Sequence, residues 1–193
     1  MDLGLQGRVA LVTGGSKGIG LAIARRLAVE GCALHLVSRT LADLEAARAK
    51  LRASHKTPVT VHAMDMAVRG TAEALAAKCE DLDILVNNAG ATPRGALDEV
   101  DEERWRQAFD LKVFGYINLS RVFYARMKAR RRGVIINIIG NGGERVDYGY
   151  IAGAAGNAAL MAFTRALGAG SIDFGVRAVG VNPGPVATER LVG

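Results

Sequence analysis

Aromatic residues make up only 5% of this 193-residue chain, whereas glycine, alanine, valine and leucine abound. That scarcity argues against a β-sandwich and suits closely packed layers of helix and sheet. Cysteine is nearly absent. Cys32 and Cys79 stand far apart, and no ligand spacing joins them to His35, His55 or His62, so neither a disulfide framework nor a metal site is expected. No run of about 18 uninterrupted apolar residues occurs, and the opening Met1-Asp2-Leu3-Gly4-Leu5-Gln6-Gly7-Arg8 has no apolar secretory stretch. These absences point away from a membrane partner and toward a reducing, cytoplasmic setting.

Hydrophobic residues, at 50% of the chain, supply enough material for one core, and the length fits a single domain spanning residues 1–193. The net charge of +6 raises the question of nucleic acid. The basic residues are scattered, however, apart from Lys128, Arg130, Arg131 and Arg132, which read as a solvated helix end favoured by the macrodipole. No nucleic-acid partner is expected.

Short β-rich apolar runs alternate with longer helical patterns. Arg8–Thr13, Ala33–Ser38, Val59–Ala63, Ile84–Val86, Val134–Ile139 and Val176–Val181 read as strands. Ile19–Glu30, Leu41–Ala53, Arg69–Cys79, Asp101–Arg130 and Tyr150–Leu167 read as helices. The repeated alternation predicts right-handed crossovers and an α/β fold: a doubly wound parallel sheet with helices on both faces. The Ala- and Gly-rich stretch 149–170 reads chiefly as close packing of a helix on that sheet.

After the first strand comes Thr13-Gly14-Gly15-Ser16-Lys17-Gly18-Ile19-Gly20, opening a helix where a pyrophosphate would meet unpaired N–H groups and the positive end of the macrodipole. The spacing is TGxxxGxG. With Asn87-Asn88-Ala89-Gly90 after the fourth strand, Asp65 after the third and Asn182-Pro183-Gly184-Pro185-Val186-Ala187-Thr188 after the sixth, the whole chain resembles the short-chain dehydrogenase/reductase family. The resemblance implies a nicotinamide cofactor in a Rossmann fold. Gly14, Ser16, Lys17, Gly18 and Ile19 would hold pyrophosphate and ribose; Asp65 and Met66 would face adenine; Asn88, Ala89 and Gly90 would line the inner ribose. Pro183, Gly184, Val186 and Thr188 would flank the nicotinamide. The second strand ends Val37-Ser38-Arg39-Thr40, with no carboxylate to accept a ribose 2′-hydroxyl and an Arg39 able to pair with a 2′-phosphate, aided by Lys17. NADP(H) is therefore expected over NAD(H).

The same resemblance implies a catalytic set of Asn, Ser, Tyr and Lys, in which tyrosine exchanges the proton and lysine tunes it. Here the set is missing. Val134-Ile135-Ile136-Asn137-Ile138-Ile139-Gly140 puts Gly140 at the serine position, and Gly153, thirteen residues on, at the tyrosine position. Asn157 falls at the lysine position, and Lys112, seven beyond Trp105, at the asparagine position. No lysine follows Lys128 and no serine lies between Ser120 and Ser171, so no change of register restores the set. Hydride transfer belongs to the cofactor, and Tyr150 and Lys112 are the candidate substitutes, with Tyr148, Glu144, Arg145 and Asp147 on the same loop.

The leading expectation is an NADP(H)-dependent oxidoreductase acting on a small carbonyl or alcohol through a non-standard proton relay. The alternative is a catalytically inactive NADP(H)-binding sensor or partner subunit. Relatives of this kind imply a homodimer or homotetramer, and they continue into a C-terminal helix and last strand that this chain is expected to lack.

Overall fold

The computed structural model describes residues 3–188. Six parallel strands form one sheet: β1 (Val9–Thr13), β2 (Ala33–Ser38), β3 (Val59–Ala63), β4 (Ile84–Asn87), β5 (Gly133–Ile138) and β6 (Val176–Val181), in the order β3-β2-β1-β4-β5-β6. The winding reverses between β1 and β4, so their carboxyl ends open a crevice at the point where ligands bind such sheets. Central strands read as unbroken apolar runs because both faces are covered: Ala10, Leu11 and Val12 are fully buried.

One face carries α1 (Gly18–Val29) and α2 (Leu41–Ser54), which bury Ala24, Ala28, Leu44 and Leu51 against the sheet. The other carries α3 (Thr71–Ala76) and α5 (Gly115–Arg130), which bury Leu75, Phe123 and Met127. The last helix, α6 (Ile151–Ser171), packs Leu160 and Met161 against Tyr116 and Ile139. None of the helices among the described residues is long and apolar enough to cross a membrane. Residues 189–193 lie outside the described residues.

The doubly wound α/β expectation is met, with three local corrections. The single helix expected over Asp101–Arg130 is instead α4 (Glu102–Ala108), a π-helical turn over Phe109–Phe114, and α5. A π-turn inserts an extra residue without breaking the chain, and helical periodicity alone does not reveal it. Here it buries both Lys112 and Val113. The helix expected over Arg69–Cys79 is shorter, because Gly70 enters with φ of +83° and the chain leaves in a tight turn in which Cys79 N–H donates to the Ala76 carbonyl. That turn swings Cys79 inward, so the expectation that the cysteines and histidines form no cluster fails: the side chains of His35, His62 and Cys79 meet.

Candidate functional site

The loop between β1 and α1 is stapled to the end of β4. Thr13 Oγ1 accepts from Asn88 N–H at 2.9 Å and Ala89 N–H at 3.0 Å, while Asn88 Nδ2 donates to the Thr13 carbonyl at 2.9 Å. Gly14 takes a φ of +63°, and a β-carbon on Gly20 would run into the Gly14 carbonyl and the Asn88 amide. These glycines let α1 approach the loop closely. Lys17, at the N-cap of α1, makes no side-chain cap, which leaves the first-turn N–H groups for an anion. A cavity of about 340 Å³ opens there, bounded by Gly14, Lys17, Ile19, Asn88 and Thr188. Ser16 sits half-buried in the loop.

A neighbouring cavity of about 350 Å³ shares Gly14, Ala89 and Gly90 with it and extends past Ser38 and Arg39 to the buried Met66. Arg39 also borders a cavity of about 480 Å³ with Asp65, Arg104 and Asp110. Asp65 is fixed by its Oδ1, which accepts from Ala67 N–H at 3.0 Å. Lys17, expected as a second cation for a phosphate, has its ammonium 3.0 Å from the carboxylate of Asp43, in the first turn of α2. Lys17 is exposed and Asp43 half-buried, so this pair is weak.

At the other end a cavity of about 450 Å³ is walled by Asn88, Thr92, Lys112, Gly140, Tyr150 and the loop Pro183, Gly184, Val186 and Thr188. The structure thus gathers both candidate substitutes, although they come from different elements. The π-turn sends the buried Lys112 side chain across to β5 and α6, where Nζ donates to the Ile139 carbonyl at 2.7 Å and to Asn157 Oδ1 at 2.6 Å. An ammonium withdrawn from water needs such oxygen partners. The residue types at 112 and 157 are therefore exchanged relative to the expected set, but a lysine and an asparagine still meet there.

Tyr150 forms the N-cap of α6, and its ring occupies the space that a side chain at position 153 would fill: a β-carbon on Gly153 would collide with it. Its hydroxyl is hydrogen-bonded to Thr92 Oγ1, and the Arg94 guanidinium lies 5.8 Å from its ring centre. Gly140, at the expected serine position, has a φ of +114° and offers no hydroxyl. Tyr116 also borders the cavity, but its hydroxyl donates to the Ile138 carbonyl at 2.8 Å and burial pushes its pKa upward. It holds its proton rather than exchanging it. Tyr148, Glu144, Arg145 and Asp147 are exposed on the loop, where Asp147 pairs with Arg94 at 3.2 Å and Glu144 with Arg165 at 3.6 Å.

Sequence reasoning missed Thr92, which no motif singles out, and the amide of Asn157 as a ligand for Lys112. It also missed a buried polar chain beneath the site. Asn87 Nδ2 donates to Ser120 Oγ at 3.1 Å and to Asn137 Oδ1 at 2.8 Å; Asn137 Nδ2 donates to Thr164 Oγ1 at 2.9 Å. This network ties β4, β5, α5 and α6 together, and each member is at least 95% buried.

Known proteins resemble this chain over nearly its whole length. The family model for short chain dehydrogenases matches residues 8–192. Galactitol 2-dehydrogenase (L-tagatose-forming) of Cereibacter sphaeroides is 36% identical over 190 residues, which cover 97% of this chain and 75% of that protein. The crystal structure of L-sorbose reductase from Gluconobacter frateurii, complexed with NADPH and L-sorbose, superposes with a TM-score of 0.92 at 32% identity, covering 98% of this chain and 74% of that one. NAD+-bound xylitol dehydrogenase superposes with a TM-score of 0.86 at 25% identity over 93% of this chain and 71% of that one. The Rossmann sheet, the glycine loop and these relatives together lead to one conclusion: the chain belongs to the short-chain dehydrogenase family of oxidoreductases.

Proposed function

We propose that this protein is an NADP(H)-dependent oxidoreductase that interconverts a small carbonyl compound and its alcohol through a relocated proton relay. The observation that carries the reading is the convergence of Tyr150 and Lys112 on one cavity, with the Tyr150 ring in the space left by Gly153. The cradle fits a dinucleotide: at Gly20 a β-carbon would collide with the loop, and the start of α1 is uncapped by any side chain. Gly14, Ser16, Lys17, Gly18 and Ile19 hold the pyrophosphate and its ribose, Asp65 and Met66 the adenine, Asn88, Ala89 and Gly90 the inner ribose, and Pro183, Gly184, Val186 and Thr188 the nicotinamide. Arg39 pairs with the 2′-phosphate. When bound, the reduced cofactor supplies a hydride to the carbonyl carbon.

The chain's own residues then have three tasks. Tyr150 donates its hydroxyl proton to the carbonyl oxygen and recovers one through Thr92, to which it is hydrogen-bonded. Lys112 provides fixed positive charge where negative charge develops on oxygen, held in place by Ile139 and Asn157. Arg94 closes the rim beside the Tyr150 ring. The names of the similar galactitol 2-dehydrogenase and L-sorbose reductase make hydroxylated ketones the first substrates to test.

A second reading, an inactive NADP(H)-binding sensor or partner subunit, draws on the loss of the expected groups at Gly140, Gly153 and Asn157. Both readings require tight, NADPH-selective binding, measured by nicotinamide fluorescence against NADH. Only the first gives a carbonyl-dependent fall in NADPH absorbance that Tyr150→Phe abolishes. We further place the protein in the cytoplasm, with both cysteines free, as a homodimer or homotetramer. The exposed row Ala155, Ala158, Ala159, Ala162 and Ala166 along α6 supports the association, and light scattering after size exclusion tests it.

A further inference from the structure

On the side of β1 away from β4, the neighbouring strand β2 and the edge strand β3 place two imidazoles on one face. Register pairs Val37 with His62 and His35 with Thr60, so His35 and His62 are diagonal neighbours, and their rings stack at 5.2 Å with planes 7° apart. The turn that ends α3 brings in Cys79. The three potential ligand atoms converge: His35 Nδ1 to His62 Nε2 is 2.8 Å, Cys79 Sγ to His35 Nδ1 is 3.2 Å, and Cys79 Sγ to His62 Nε2 is 3.9 Å. A tetrahedral zinc ion with Zn–N near 2.0–2.1 Å and Zn–S near 2.3 Å requires ligand separations of roughly 3.3–3.6 Å. The observed triangle brackets that range, and small rotations of the side chains reach it.

We propose that His35, His62 and Cys79 form a binding site for one zinc(II) ion, with its fourth position open toward solvent. One thiolate and two imidazoles are a borderline-soft donor set that suits zinc and excludes calcium or magnesium. Burial holds both imidazoles below their ordinary range, His62 at about 4, so that they are present in the neutral form that ligates. Burial raises the Cys79 thiol, while Lys78 and Arg126 pull it the other way; a metal displaces the remaining proton. His35 is only half-buried whereas Cys79 is buried, so the vacant fourth position lies on the His35 side and takes water or a small anion. The ion would clamp β2, β3 and the end of α3, the strands that lead into Arg39 and Asp65. Hydrogen bonds link the same three groups when no ion is present, and the ion replaces the shared protons.

The test uses the full chain stripped with a chelator, then titrated with cobalt(II) as a spectroscopic probe and with zinc(II) against a chromogenic competitor. The expected results are one ion per chain, a thiolate-to-cobalt charge-transfer band, and a melting temperature that rises with zinc. Cys79→Ser loses the band and the zinc-dependent rise. His62→Gln weakens zinc by more than the roughly 10–100-fold that loss of a supporting partner costs, and His55→Asn, outside the cluster, leaves binding unchanged. Absence of the band and of the melting shift in the unsubstituted chain overturns the proposal, and so does undiminished binding in Cys79→Ser. If either variant fails to fold, the band and the shift in the unsubstituted chain decide the question alone.

Discussion

The placement of the Tyr150 ring over Gly153 can be tested by a reversal of sign. In an ordinary helix interior, glycine to alanine stabilises by about 0.5–1 kcal/mol, because alanine gives up less backbone freedom. At position 153 of α6 the new methyl meets the Tyr150 ring. Either the site overpacks, costing about 1–3 kcal/mol, or the ring swings away and surrenders its hydrogen bond to Thr92, costing about 0.5–1.5 kcal/mol. Gly153→Ala is therefore expected to be neutral to destabilising by about 1–2 kcal/mol. In a Tyr150→Ala background the obstacle is gone, and the same substitution should stabilise by up to about 1 kcal/mol. The coupling between the two positions is then roughly 2 kcal/mol, well above the error of a double-mutant cycle followed by urea denaturation. Turnover should fall in Gly153→Ala while NADPH affinity holds. Equal stabilisation by Gly153→Ala in both backgrounds would refute the placement of the ring.

Other expectations follow from the same geometry. Arg39→Ala should weaken NADPH by about 10–100-fold, the worth of a charge-assisted pair with phosphate, and leave NADH unchanged in a fluorescence titration; equal loss for both cofactors would remove Arg39 from the 2′-phosphate. Asn137→Ala removes one partner from the buried Asn87 amide, which keeps Ser120, and one from the Thr164 hydroxyl, which keeps the Leu160 carbonyl; it should cost about 1–3 kcal/mol, read from the denaturation midpoint at unchanged slope.

The strands were legible because a parallel sheet covered on both faces leaves long apolar runs, and β1 through β6 follow those runs to within a residue at each end. The glycine loop was legible because phosphate recognition by backbone leaves a spacing in the sequence. What stayed hidden depends on contacts that no local pattern encodes. Lys112 reaches Asn157 only because a π-turn adds a residue where periodicity expects an unbroken helix. Tyr150 was visible as a residue type near the helix start, but its use of the space above Gly153 depends on the turn that leads into α6. His35 and His62 lie 27 residues apart, and Cys79 another 17 beyond His62; strand register and one tight turn unite them, which is why composition and spacing gave no sign of a cluster. The pairing of Lys17 was hidden because Asp43 approaches it from the next helix rather than from the neighbouring sequence.

The most direct test of the relocated relay is NADPH consumption followed by absorbance with L-sorbose, the ketose bound in the Gluconobacter frateurii reductase, and a panel of related hydroxylated ketones. The unsubstituted chain should oxidise NADPH only when a ketone is present. Tyr150→Phe and Lys112→Met should each lower kcat by about 100- to 10,000-fold, the usual worth of a positioned proton donor and its partner, with NADPH binding unchanged. NADPH binding without turnover on any ketone, or full turnover in Tyr150→Phe, would contradict the account.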